Sequence, residues 1–111
     1  MKPTDAEVQA LKEANPGLEL MVLEHPKPEL VDAAVIVKPV NRGTYKRFRV
    51  QSQDPKGRDL AVENLVRACV LWPAKDELDA QVERYPAIFE TWCSQLLESA
   101  GLSAEAEKKV L

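Results

Sequence analysis

Between Ile88 and Ala100 the apolar residues return every three or four positions: Ile88, Phe89, Trp92, Cys93, Leu96, Leu97 and Ala100. That spacing lays a wide apolar stripe along one face of an α-helix. Gly101 follows where a helix commonly ends in a left-handed residue. A helix with this much apolar surface on one side must be covered, so the rest of the chain has to pack against it.

Three further helical patterns precede it. Leu60, Val62, Leu65, Val66, Cys69 and Val70 recur at helical spacing and predict a helix closed by Trp72-Pro73. A shorter helix starts near Ala74, carries Leu78 and Val82 four apart, and stops at Tyr85-Pro86. Tyr45 and Phe48, three apart among Lys46, Arg47 and Arg49, predict a basic helix with one aromatic face. The run Gln53-Asp54-Pro55-Lys56-Gly57 breaks it.

The N-terminal third reads differently. Thr4-Asp5-Ala6-Glu7 matches a capping box, Val8 and Leu11 give a short apolar stripe, and Asn15-Pro16-Gly17 ends that helix. Leu18 to Glu24 predicts a strand with Leu18, Leu20 and Val22 on one face. His25-Pro26-Lys27-Pro28-Glu29 is a proline-fixed connector, and Val35-Ile36-Val37 again prefers the extended state. An antiparallel hairpin follows, with Pro26, Pro28 and Pro39 flanking strands whose edges they help protect. The expected fold class is therefore α+β, mostly α. One domain over 1–111 comprises a helix and turn (1–17), a β-hairpin (18–40), an antiparallel bundle of about four helices (41–101) and an exposed tail (102–111).

The composition narrows the chemistry. At 111 residues, 45% hydrophobic and 30% charged, the chain is long enough for one core and too apolar for a disordered one. No apolar run approaches a membrane span, and Met1-Lys2-Pro3-Thr4-Asp5 has no secretory signature. Cys69 and Cys93 both lie inside apolar helical patterns and read as reduced core residues of a cytoplasmic protein. The single histidine, His25, has no nucleophile nearby in sequence and reads as a surface residue. No Cys-x-x-Cys or helical His pair supplies a zinc site, and the glycines form no phosphate-cradling loop. Asp76, Glu77, Asp79 and Glu83 read as a solvated helix face rather than an acid–base site. Trp72 and Trp92 read as core residues. The expectation is a non-enzyme with no cofactor and no metal.

Charge is distributed unevenly. Residues 38–58 hold seven basic residues (Lys38, Arg42, Lys46, Arg47, Arg49, Lys56, Arg58) and one acid, Asp54, between two acidic segments. Such a band serves a nucleic acid or an acidic partner, or lies against acidic neighbours within the fold. A pI of 5.2 is wrong for a dedicated nucleic-acid binder, and intramolecular complementarity is the preferred reading. Within the band, helical spacing places Tyr45 and Phe48 together toward a core while Lys46, Arg47 and Arg49 face water.

Several phrases together resemble the tail assembly chaperones of long-tailed bacteriophages. They are Lys38-Pro39, Tyr45-Lys46-Arg47-Phe48-Arg49, Leu65-Val66-Arg67-Ala68-Cys69-Val70-Leu71-Trp72-Pro73, Arg84-Tyr85-Pro86-Ala87-Ile88 and Leu97-Glu98-Ser99-Ala100-Gly101. The resemblance covers about residues 18–101. It implies a non-enzymatic role in virion morphogenesis in the bacterial host cytoplasm. The partner would be a tape-measure-like helical protein, kept soluble until the tail tube forms around it, with homo-oligomerisation along that client. Tyr45, Lys46, Arg47 and Arg49 are the candidate partner-binding residues. The resemblance also implies a longer product made by ribosomal slippage, for which Glu107-Lys108-Lys109 is a candidate site. The alternative is a small nucleic-acid-binding or regulatory module using the basic 38–58 segment, chiefly Lys46, Arg47, Arg49, Lys56 and Arg58.

Overall fold

The computed structural model describes residues 2–102. The fold is α+β and mostly helical, with a three-stranded antiparallel sheet among five helices. In chain order these are α1 (Asp5–Ala14), β1 (Met21–Glu24), β2 (Ala34–Val37), α2 (Arg42–Gln53), α3 (Arg58–Cys69), β3 (Val70–Trp72), α4 (Lys75–Arg84) and α5 (Ile88–Ser99). Most of the tail read at 102–111, with its Glu107-Lys108-Lys109, lies outside the described residues; Leu102 is exposed.

The local signals act as their chemistry dictates. Thr4 Oγ1 accepts from the Glu7 N–H at 3.1 Å and Glu7 Oε1 accepts from the Thr4 N–H at 3.0 Å, completing the capping box. Asn41 caps α2 by accepting from the Thr44 N–H at 2.8 Å. At the end of α5, Gly101 sits at φ +107°, its N–H bonding Glu98 O while the Leu102 N–H reaches Leu97 O. That pair of bonds is a Schellman stop, and it needs a residue without a Cβ penalty. Gly57 has a different reason to be glycine. A Cβ there would lie 3.0 Å from Gln51 Cγ and 3.2 Å from Gln51 O, so the α2–α3 turn folds tightly back on α2.

Register assigns the two faces of the sheet. Met21 pairs with Val37 and Leu23 with Val35, and Val37 pairs with Val70. These side chains point toward α3 and α5, where Leu65, Val66, Cys69, Trp92, Cys93 and Leu96 complete the core. Val22, Ile36 and Trp72 occupy the other face. The strand parity expected from the sequence is thus reversed: Met21 and Leu23 point inward, while Leu18 and Val22 are 47% and 54% exposed. Both parities of that segment carry apolar residues, and the register with β2 puts Met21 and Leu23 opposite Val37 and Val35 of the core cluster.

The stretch 41–101 holds the four expected helices, α2 to α5, and in addition one strand that the sequence pattern assigns to a helix. Val70–Trp72 leaves α3 and adds a third strand, so the hairpin becomes a sheet with order β1-β2-β3. Ile36 pairs with Trp72 and Val37 with Val70, leaving Leu71 as an extra residue. This bulge places Val70 and Trp72 on opposite faces, although two residues apart they would ordinarily share one. Trp92 is fully buried as expected, whereas Trp72 is half-buried on the outer face. Its indole N–H donates to Glu7 Oε2 at 2.7 Å and ties α1 to that face. Glu7's carboxyl is held below its ordinary range by the Thr4 backbone N–H first and the Trp72 indole second.

Beyond the short β3, a side chain continues the ladder. Gln81 Oε1 accepts from the Ala34 N–H at 3.2 Å and Gln81 Nε2 donates to Ala34 O at 3.4 Å. In an antiparallel ladder Ala34, Ile36 and Lys38 turn their peptide groups the same way. Ile36 meets β3, the Lys38 N–H meets Cys69 O at 2.9 Å, and Ala34 meets the amide from α4. On the opposite edge Gln95 Nε2 donates to Glu24 O at 3.1 Å, linking α5 to the end of β1.

Candidate functional site

The basic segment forms one helical hairpin. Phe48 and Tyr45 of α2 pack half-buried against the core, their ring centroids 6.4 Å apart. Gln51 faces α3, where its Oε1 accepts from Asn64 Nδ2 at 3.1 Å. The opposite face of α2 carries Arg42, Lys46, Arg49 and Val50, all exposed, with Val50 at 71%.

The four residues singled out from the sequence therefore do not share a surface. Tyr45 turns inward and lines a groove of about 450 Å³ between the start of α2 and the end of α5, with Val40, Arg42, Leu97 and Leu102 among its walls. Lys46 and Arg49 project into solvent. Arg47 turns toward α3, donating to Thr44 Oγ1 at 3.4 Å and bordering a second cavity with Phe48, Asn64 and Leu65. Arg42 was not among those four, yet it aligns with Lys46 and Arg49 at i, i+4 and i+7. That spacing is the sequence signal by which it is found.

No ion pair joins this band to a carboxylate among the described residues. The ion pairs there join Arg67 of α3 to Glu63 at 3.0 Å and to Asp79 of α4 at 2.6 Å. Arg67 also lies over the Phe89 ring at 5.2 Å, and its pKa is raised chiefly by the Asp79 carboxylate. Asp79 is thus engaged, while Asp76, Glu77 and Glu83 are exposed along α4. Arg58 is occupied otherwise, its Nε donating to Ser52 O at 3.3 Å across the α2–α3 turn. Arg42, Lys46 and Arg49 have no carboxylate partner among the described residues.

The other candidates occupy ordinary surroundings. His25 is half-buried in the connector, with Nδ1 accepting from the Lys27 N–H at 3.0 Å. Cys69 and Cys93 are buried free thiols. Burial first, and the neighbouring Cys69 second, push the Cys93 thiol up to about 11. Among the described residues no group of three or more His, Cys, Asp or Glu is placed to hold a metal ion, and no helix is long and apolar enough to cross a membrane.

What fold and surface define is a small α+β protein with an open cationic helix. The chain belongs to the family described as "Domain of unknown function (DUF6848)", whose model matches residues 20–109. The fold recurs in the solved structure of the uncharacterised protein rbstp2171 from Bacillus stearothermophilus. That chain is 20% identical, with a TM-score of 0.69 over 92% of this chain and 99% of that one. No curated protein matches.

Proposed function

We propose that this protein is a non-enzymatic tail assembly chaperone, binding a tape-measure-like helical protein and keeping it soluble during phage tail assembly in the host cytoplasm. The observation that carries the reading is the cationic face of α2, which has no carboxylate of its own among the described residues. Exposed charges of this kind add little to folding, and they recruit and orient a partner of opposite charge. The resemblance over residues 18–101 supplies the kind of partner, a long helical client. Such a client exposes apolar surface and aggregates unless something covers it reversibly. Repeated copies along one client would make homo-oligomerisation part of the same function.

Co-expression with the neighbouring genes tests this. A long helix-rich chain should appear in the soluble fraction and co-purify with the tagged protein, and should precipitate when the protein is omitted. A client equally insoluble in both cases removes the reading. The exposed Lys46 and Arg49 also favour one rival, a nucleic-acid-binding module. Against it, Phe48 packs on the core and Tyr45 is half-buried in a groove wall, so the two rings form no open stacking platform together, and Arg58 is engaged in the turn. Nucleic acid in the eluate with no protein client would select the rival.

A further inference from the structure

We infer that the outward row Arg42–Lys46–Arg49 of α2 receives an acidic amphipathic helix with carboxylates at i, i+4 and i+7, whose apolar flank seats in the groove between α2 and α5. This deepens the chaperone reading and rests on it for the client's origin, though not for the chemistry of the surface. The three cations advance along the helix by about 6 Å and then about 4.5 Å, at 1.5 Å per residue. A second α-helix lying alongside repeats its own side chains at the same intervals, so one carboxylate per turn meets each cation in register.

Two features set the rest of the partner's character. Val50, four residues after Lys46, is the most exposed large apolar residue among the described ones and adjoins the row. At the other end, Arg42 is also a wall of the 450 Å³ groove, whose apolar lining includes Tyr45, Leu97 and Leu102. Val50 and Tyr45 flank the row on opposite sides of the helix, so the partner that satisfies both carries apolar residues on either side of its line of acids, one side over Val50 and the other in the groove. A single strand of nucleic acid would match the charge alone, because Phe48 packs on the core and Tyr45 is half-buried in the groove wall, so the row has no pair of open rings to stack bases on.

The test uses the full chain and a synthetic acidic amphipathic helix of about 15 residues, long enough to span α2. Fluorescence anisotropy should show binding that weakens from about 0.1 M to about 1 M salt, as screening predicts. The triple variant Arg42→Glu, Lys46→Glu, Arg49→Glu should bind about tenfold or more weakly while keeping its circular dichroism melt. Glu→Gln changes in the peptide give the same loss with the protein untouched, which covers a variant that fails to fold. Binding unaffected by either set of changes would falsify the row as the docking site, as would tighter binding of a single-stranded oligonucleotide than of the peptide. The two readings fail separately. A client captured equally by the triple variant sinks the row and leaves the chaperone standing. A peptide bound through the row, with no helical client recovered from cells, does the reverse.

Discussion

Helices α2 and α5 are both twelve residues long, yet α5 buries six of its residues and α2 buries one, Thr44. The apolar stripe of α5 is matched on its far side by α3 and by the inner face of the sheet. In α2 the corresponding stripe is thinner, two aromatics half-covered, and the outer face carries Val50 beside Arg42, Lys46 and Arg49, cations that have no carboxylate partner among the described residues. The difference separates two uses of the same secondary structure. One helix holds the molecule together, and the other is held by the molecule and shown to the outside.

That contrast can be broken experimentally, and the largest effect belongs to α5. Leu96→Ala should cost about 2–5 kcal/mol by loss of contacts and a residual cavity, read as a lower denaturant midpoint at unchanged slope. A loss no greater than an α2 surface change produces would erase the distinction. Next comes Gln81→Ala, which strips both ladder partners from Ala34 and should cost about 1–3 kcal/mol in the same assay. Within α2 itself, Phe48→Ala should cost about 1–2 kcal/mol, whereas Arg49→Glu should stay within about 0.5 kcal/mol. A large loss for Phe48→Ala retires that ring as a direct partner contact.

The smallest effect concerns α1 and acid. Glu7's folded pKa lies below its unfolded value, so its contribution is present above the ordinary carboxylate range and is lost as pH falls through the lowered pKa. Trp72 fluorescence should report release of its Glu7 bond in that acid window. Glu7→Gln should abolish the transition, and a transition that survives it would assign the change elsewhere.

Much of this fold was legible where the determining chemistry is local. The capping box at Thr4, the breaker at Asp54-Pro55 and the glycine stop at Gly101 act within a few residues, and each ends or begins its helix where the sequence places it. The strand β3 was not legible, because Val70 continues the apolar spacing of Val66 and Cys69 and only three residues make the strand. The facing of β1 was hidden by apolar residues in both parities. The Gln81–Ala34 clip joins positions 47 residues apart, and a glutamine in a helix announces nothing about such a partner. For the surface, the basic segment was visible as composition. Whether its cations were neutralised depended on where the acids of α4 fell, and Arg67 takes Asp79 instead.

The two glutamines at the strand edges bear on a hazard that any protein with a small sheet faces. An open row of peptide groups invites another chain to add a strand, and from there ordered aggregation can grow. Here Gln81 occupies Ala34 beyond β3, and Gln95 occupies the carbonyl of Glu24 on β1. Both plugs come from helices that follow the sheet in the chain, so the strands gain this protection only as α4 and α5 settle. In a protein proposed to guard a sticky client, the guard's own sticky edges are stoppered from within.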